Sequence, residues 1–122
     1  MSFRYKWALS VAAAASLVIV GGAVGQRTAP VRADDGVTVS LKNNVFAPVT
    51  ITVSAGSTVT WVNNEDPNGA DVVHDILADD FRSWGSAYVN PGESYSYTFS
   101  TPGTFNYVCD LHPEMTGTVV VQ

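Results

Sequence analysis

Short segments in which apolar and polar residues alternate run through the chain from residue 37 to its end. Because successive side chains of a β-strand point to opposite faces, this period of two places one face of each segment in a core. The segments are 37–42, 50–53, 57–63, 94–99, 104–109 and 116–121, and a short apolar run around His74, residues 72–77, is a further candidate strand. They are rich in Val, Thr, Tyr and Phe and are separated by turn residues. The pattern predicts an all-β protein, an antiparallel sandwich of about seven or eight strands.

Two segments between the predicted strands lack this alternation. Residues 64–71 are polar and contain Gly and Pro, which predicts a loop just before His74. Residues 78–87 form a longer connection, for which one turn of helix and an irregular crossover both stay open. No apolar stripe of helical period and useful length follows residue 36.

The first 33 residues have a different pattern, in which positive charges precede a long uncharged run. Arg4 and Lys6 are followed by residues 7–25, which carry no charge and are rich in Ala and Gly. This run predicts an apolar helix that serves as a secretory signal peptide, cleaved after Ala33, or as a retained membrane anchor joined to a tether. A third interpretation is a buried helix of the folded domain. Positive charge on the N-terminal side predicts that the remainder is exported, to the periplasm or another extracytoplasmic space.

The predicted exported domain, residues 34–122, is strongly acidic. It contains all 11 Asp and Glu residues of the chain but only two basic residues, Lys42 and Arg82, a formal net charge of −9. Because this charge repels nucleic acids and anionic membranes, we expect neither as a partner, apart from membrane attachment through residues 7–25. The charge would attract a basic docking surface on a redox partner, although it also serves solubility. We expect one modest core and a monomer.

Side chains that bind soft metals are concentrated near the C-terminus. Cys109, His112 and Met115 lie within seven residues, and the second histidine, His74, lies 35 residues before the cysteine. A single cysteine cannot form an internal disulfide, and metal binding would protect its thiol from oxidation. Thiolate, imidazole and thioether suit copper, and two His and one Cys with a weak axial Met support both Cu(I) and Cu(II). Four protein ligands leave no open coordination position, which favours electron transfer over substrate chemistry.

The predicted strands suggest how these residues meet. Alternation places Tyr107 and Cys109 on one face at the end of a strand, and a chain reversal containing His112 follows. Met115 then comes just before the last predicted strand, and His74 would approach from a neighbouring strand, inside the sandwich.

Residues 107–121 resemble the C-terminal copper motif of the cupredoxins, the family of plastocyanin and azurin. The short spacing from cysteine to methionine is similar to that of the amicyanins, and residues 58–63 followed by a downstream histidine also resemble the family. The resemblance implies a Greek-key sandwich of about eight strands, a type 1 copper site and one-electron transfer between redox proteins. It implies three equatorial ligands and one axial ligand, namely His74, Cys109 and His112, and Met115.

The chain departs from the family pattern beside two of these residues. Asp75 follows the first histidine and Asp110 follows the cysteine, where family members usually have Asn and Ser or Thr that tie the ligand segments together. Ionised carboxylates here would favour Cu(II) and lower the reduction potential relative to an Asp75→Asn variant. If both side chains face solvent, screening leaves them with little effect.

In this family the second histidine exposes a ring edge within an apolar patch. Leu111 and Pro113 would supply that patch here, and Trp84 either joins it or packs within its loop. The sequence does not identify the electron donor or acceptor.

Four classes of function compete: an electron carrier, a copper storage or delivery protein, a copper enzyme and a metal-free interaction domain. Two histidines cannot supply both a type 1 site and a second copper centre, which argues against an enzyme. One Cys and no Met cluster argue against copper delivery, and the soft ligand set argues against a metal-free domain. The sequence therefore predicts a blue-copper one-electron carrier.

Overall fold

The structure is a computed structural model that describes residues 36–122. This part of the chain contains eight β-strands. They are β1 (Val37–Lys42), β2 (Val45–Ala47), β3 (Thr50–Val53), β4 (Ser57–Asn63), β5 (Leu77–Ala78), β6 (Ser94–Phe99), β7 (Gly103–Cys109) and β8 (His112–Val121). The predicted signal or anchor helix lies outside the described residues. Within residues 36–122 no helix is both long enough and apolar enough to cross a membrane.

The strands form two four-stranded sheets, in the orders β2-β1-β4-β6 and β3-β8-β7-β5. The all-β sandwich is therefore confirmed, but the prediction that it is purely antiparallel is wrong. β1 pairs with β4 in parallel, and β3 pairs with β8 in parallel. Each of these pairs is separated in sequence by strands of both sheets, so the chain returns beside the earlier strand in the same direction, which a hairpin cannot do.

Aromatic rings fill the middle of the sandwich. The alternation of β4 buries every second side chain, and Trp61 lies at the centre with no exposed surface. Its ring centroid lies 5.4 Å from that of Tyr107, in an edge-on arrangement, and 5.8 Å from that of Trp84. Tyr107 in turn lies over Gly117, where an added Cβ would be 2.3 Å from the tyrosine ring. This contact requires a residue without a side chain opposite Tyr107 in β8.

Two short elements differ from the predictions. The apolar run 72–77 is not a strand; it contains two isolated bridges, His74 with Val89 and Leu77 with Gly85, and only Leu77 begins β5. The three-residue strand β2 was not predicted. It is created by Asn43 and Asn44, whose φ angles of 55° and 57° form the tight turn of a β1–β2 hairpin.

The connections follow the sequence more closely. Residues 64–71 form the predicted loop, and residues 79–88 form turns and bends without a helix. Asp80 holds the second connection, because its Oδ1 accepts hydrogen bonds from the backbone N–H groups of Arg82 and Ser83, each at 2.9 Å. These bonds also hold the pKa of Asp80 below its usual value. Of the two predicted alternatives, the irregular crossover is confirmed.

Candidate metal centre

The β7–β8 hairpin brings the cysteine and the second histidine together. Cys109 pairs with His112 across a two-residue connection, after an irregularity in register between Val108 and Cys109. The Sγ atom of Cys109 lies 3.6 Å from Nδ1 of His112. β8 begins at His112, so Met115 lies inside the last strand. The sequence analysis had placed Met115 just before that strand. Its side chain is buried in the same core cluster as Cys109.

The first histidine lies on an irregular segment that buried polar bonds hold in place. His74 exchanges two backbone hydrogen bonds with Val89, at 3.2 and 2.7 Å. The side-chain amide of Asn63 donates to the carbonyl oxygens of Val72 and Val89, each at 2.8 Å. Asn63 is 1% exposed. Because one buried amide binds both this segment, at Val72, and the facing stretch, at Val89, it takes the place of the ladder that a regular strand would have.

Three donor atoms converge between these two regions. Nδ1 of His74 lies 3.2 Å from Nδ1 of His112 and 3.9 Å from Sγ of Cys109, and all three candidate ligand atoms lie within 4.8 Å of one another. Donors bound to one ion in a plane, at about 2.0–2.3 Å, would lie about 3.5–3.8 Å apart. The observed separations fit one ion within a few tenths of an ångström. His74 and Cys109 are buried and His112 is half-buried, which limits the access of water.

A carboxylate ties the two ligand segments together. Oδ1 of Asp75 accepts a hydrogen bond of 2.7 Å from the backbone N–H of Asp110, and the backbone N–H of Asp75 points at Sγ of Cys109 at 3.5 Å. The Asp75 residue is 4% exposed, whereas Asp110 is exposed. The sequence analysis left open that both carboxylates face solvent. This is wrong for Asp75, which is buried, and correct for Asp110.

Comparison with known proteins agrees with this geometry. The sequence pattern of the family described as Cupredoxin-like domain matches residues 10–121. The chain belongs to the cupredoxin family. It is 32% identical to amicyanin-alpha of Methylorubrum extorquens over 128 residues, covering 99% of this chain and 98% of that protein. It is also 42% identical to plastocyanin of Scenedesmus fuscus over 90 residues, covering 64% of this chain and 87% of that protein.

A solved enzyme structure contains the same fold. The copper-containing nitrite reductase of Thermus scotoductus superposes with a TM-score of 0.64 and 28% sequence identity. The match covers 85% of this chain but 25% of the nitrite reductase chain. The fold therefore serves both small carriers and domains of larger enzymes. In this cupredoxin the donor set of two imidazoles, one thiolate and one thioether suits a single copper ion, the type 1 centre.

The protein surroundings of the cupredoxin thiol favour its neutral form. Burial raises the pKa of Cys109, and the negative charge of Asp75 raises it further. Backbone N–H groups of Asp75, His112 and Leu111 act in the opposite direction. Because a thiol binds metal as a thiolate, the positive charge of an ion would be the main force that removes its proton here.

Glu65 is a neighbour of the site that the sequence analysis did not identify. Its Oε1 lies 3.1 Å from Nε2 of His74, on the side of the ring away from Cys109. The same oxygen accepts a 3.4 Å contact from the backbone N–H of Asn44. The available signal was an acidic residue two positions after strand 57–63, in the loop that precedes His74. Spacing alone does not show that this loop folds back onto the imidazole.

Two grooves border the half-buried His112 and the cysteine. The larger, about 720 Å³, is lined by Asn43, Asn44, Val45, Leu111, His112, Pro113, Glu114 and Met115. The smaller, about 200 Å³, is lined by Phe81, Val108, Cys109, Asp110 and Pro113. Leu111 and Phe81 are 42% and 59% exposed, and Pro113 lines both grooves. The site thus has an apolar surface around it.

Trp84 does not belong to that surface. Its ring stacks on Tyr97 with a centroid distance of 5.1 Å and meets Phe99 edge-on at 5.3 Å. Of the two alternatives for Trp84, packing within its own loop and against the core is therefore the correct one. Phe81, three residues earlier, is exposed, and its φ of 56° lies in the left-handed region.

Proposed function

We propose that this cupredoxin carries single electrons between redox proteins outside the cytoplasmic membrane. His74, Cys109 and His112 would hold one copper ion as equatorial ligands, and Met115 would be the weak axial ligand. The convergence of three donor atoms within 4.8 Å, from positions up to 38 residues apart in sequence, carries this proposal. The plastocyanin and amicyanin relatives are electron carriers, which supports it.

The arrangement of the side chains suits fast electron transfer. When bound, copper alternates between Cu(I) and Cu(II) and so accepts or gives up one electron. The β7–β8 ladder fixes Cys109 and His112, while the bonds to Val89 fix His74. Ligands held in this way move little when the charge of the ion changes, and their burial keeps water from reorganising around it. Both features lower the energy needed for each transfer.

Two other functions use the same ligand types but fit less well. A nitrite reductase or oxidase needs a second metal centre, and both histidines of this chain already lie in one cluster. A copper-delivery protein needs ligands that open easily, whereas the candidate ligands here are buried or half-buried. We therefore assign no enzymatic activity to the chain.

The partner would dock around His112 and meet negative charge at the edges of the contact. Leu111 and Pro113 offer apolar contact beside the imidazole, while Asp110 and Glu114 are exposed next to them. A redox protein with an apolar contact surface surrounded by Lys and Arg fits this combination, and encounter would slow at high salt. We expect the carrier to act as a monomer. Residues 7–25 would either be removed on export or retain it at the membrane.

Titration of the purified protein with Cu(II) tests the proposal. We expect an intense blue absorption band that ascorbate bleaches and an oxidant restores, because thiolate-to-copper charge transfer needs Cys109. Cys109→Ser should bind without the blue band, and Met115→Leu should remain blue with a higher reduction potential. A blue Cys109→Ser protein would contradict the ligand assignment. A colourless wild-type complex, or rapid loss of copper to a chelator, would instead favour copper handling or zinc.

A further inference from the structure

One edge of the sandwich lacks the features that usually protect a sheet edge. Within residues 36–122 the edge strands are β2, β3, β5 and β6, and β6 pairs with β4 alone. β5 has two residues, while β2 and β3 have three and four residues and lie on either side of Pro48, which has no N–H to donate. β6 has six residues and contains neither a charged residue nor a proline. Long edge strands without such residues pair readily with another chain.

The register of β4 and β6 determines which backbone groups face the free edge of β6. The two strands are antiparallel, and the backbone N–H of Asn63 donates to the carbonyl oxygen of Glu93 at 3.0 Å. Because hydrogen-bonded pairs alternate with non-bonded pairs, every second residue of β6, beginning with Tyr95, bonds to β4. The N–H and C=O groups of the residues between them point away from the sheet. These residues are Ser94, Ser96 and Thr98, and all three are exposed.

The distribution of charge favours a second copy of this chain as the occupant of the edge. Residues 34–122 have a formal net charge of −9, so two copies repel each other over most of their surfaces. β4 and β6 contain no charged residue. Glu93, just before β6, is turned back onto its own loop, where its Oε2 accepts bonds from the backbone N–H and the side-chain amide of Asn90 at 2.8 and 3.0 Å. Two copies can therefore meet along β6 without placing like charges opposite each other.

We propose that β6 pairs with β6 of a second copy of this chain, antiparallel about a two-fold axis. In this pair Ser96 lies opposite the second copy's Ser96, and Ser94 lies opposite the second copy's Thr98. This register uses the outward backbone groups of all three residues and keeps every new hydrogen bond within the strand. It also places Tyr95 opposite the second copy's Tyr97, and aromatic cross-strand pairs stabilise antiparallel strands. The pair joins two four-stranded sheets into one continuous sheet.

The contact is weak, which agrees with a carrier that acts as a monomer in dilute solution. A six-residue strand is about 20 Å long, so the ladder buries well below the about 1,200 Å² of a stable interface. The pair forms where copies are concentrated, and salt strengthens it by screening the net negative charge. Docking of a basic redox partner has the opposite salt dependence. β6 contains no candidate ligand, so pairing leaves His112 free for that docking.

Three variants test the pairing. Ser96→Glu and Ser96→Lys each place a charge opposite the same charge across the two-fold axis, so each variant alone should lose the pairing. An equal mixture of the two places a carboxylate opposite an ammonium group, and pairing should return. Thr38→Glu is the matched control. Thr38 lies in the same cross-strand row as Ser96, through Thr60, but on β1, two strands from the edge, so this variant should keep the pairing.

An NMR dilution series of the purified, metal-free protein measures the pairing, at low and at high salt. Between micromolar and millimolar concentration we expect the amide signals of Ser94, Ser96 and Thr98 to shift in the wild type and in Thr38→Glu, and to shift more at high salt. In each Ser96 variant alone, folded by circular dichroism, they should stay constant. Sedimentation equilibrium should show the same pattern in the mean mass.

Three results would overturn the proposal. The first is a wild type whose β6 signals stay constant up to millimolar concentration. The second is Ser96→Lys that associates as the wild type does, because this variant lowers the net negative charge and would then show a contact elsewhere. The third is a mixture of the two Ser96 variants that stays monomeric. None of these results depends on copper, so the proposed electron transfer is tested separately.

Discussion

The candidate ligands lie in two regions that are built in different ways. Cys109, His112 and Met115 belong to one hairpin, where ladder hydrogen bonds fix residues that are close in sequence. His74 lies on a segment with one isolated bridge, and its position depends on Asn63, a residue from another sheet. The hairpin is specified by local pairing, whereas the His74 segment is specified by a few buried polar bonds. The second region should therefore be the more sensitive to single substitutions.

Asn63→Ala should have the largest effect, because it leaves the Val72 carbonyl without its donor, removes one of two donors to the Val89 carbonyl and leaves the backbone N–H of Glu65 without its acceptor. An unpaired buried group costs about 1–3 kcal/mol and a further lost hydrogen bond about 1 kcal/mol, so we expect the free energy of unfolding to fall by roughly 3 kcal/mol. Copper affinity should fall as well, since His74 loses its support. Urea denaturation and copper titration measure the two effects. Asn64→Ala, which alters the adjacent exposed residue, is the control and should change stability little.

Gly117→Ala tests the hairpin side of the comparison. The new Cβ would lie 2.3 Å from the Tyr107 ring, so the ring must move, and we expect a loss of about 2 kcal/mol in thermal denaturation. Gly36→Ala is the control, since nothing lies within 4 Å of a Cβ there. The ladder should hold Cys109 and His112 in place. If Gly117→Ala perturbs the copper spectrum as strongly as Asn63→Ala, the contrast between the two regions is wrong.

Asp75→Asn sharpens the comparison at the point where the two regions meet. The amide oxygen of Asn can still accept the N–H of Asp110, so the tie stays while one negative charge is lost. We expect the reduction potential to rise by on the order of 50–100 mV, because the variant removes one negative charge that lies within several ångströms of the metal site, where little water screens it. Cyclic voltammetry measures it, with Asp110→Asn as the exposed control. A potential that stays unchanged would contradict an electrostatic role for Asp75.

Tyr107→Phe should have the smallest effect and the opposite sign. The Tyr107 hydroxyl is buried without a hydrogen-bond partner. The nearby Trp61 indole lowers the pKa of Tyr107 somewhat, but the two groups do not have the geometry of a hydrogen bond. Removing the hydroxyl should stabilise the protein by about 1 kcal/mol, measured as a higher Tm.

The same substitution has a pH dependence. Burial raises the pKa of Tyr107, so the folded state resists ionisation of its hydroxyl. The contribution of this neutral hydroxyl to the free energy of unfolding is therefore fully present below about pH 10 and declines as the pH rises above it. The Phe variant should lose less stability than the wild type between neutral pH and pH 11. A variant that is less stable than the wild type at neutral pH would show that the hydroxyl has a partner.

The sequence predicted the parts of this molecule that depend on neighbours in the chain. Alternation located β1, β3, β4 and β6 with their observed bounds, and it placed Cys109 on the buried face of β7. His74 was identified as a candidate because the chain has only two histidines. These inferences need only the periodicity of a strand and the preferences of a metal.

The parts that the sequence did not predict depend on long-range contacts. The parallel pairings, the bonds of Asn63 and the contact of Glu65 with His74 each join residues from separate elements. Asp75 shows the same limit, because its spacing beside His74 predicts proximity to the site but not whether its carboxylate is buried. Trp84 and Phe81 lie three residues apart in one connection, yet Trp84 packs against the core and Phe81 is exposed.

β8 is the longest of the eight strands in residues 36–122; its residues 118–121 pair with β3 on one side and with β7 on the other. Amide protons in such a strand exchange only when the whole domain opens, whereas a segment outside the ladder opens locally at a much smaller cost. The end of β8 that pairs on both sides, residues 118–121, therefore belongs to the last part of the domain to fluctuate, whereas His112 and Met115 lie beside β7 alone and His74 has one isolated bridge. We therefore expect amide protons near the candidate ligands to exchange before those of residues 118–121.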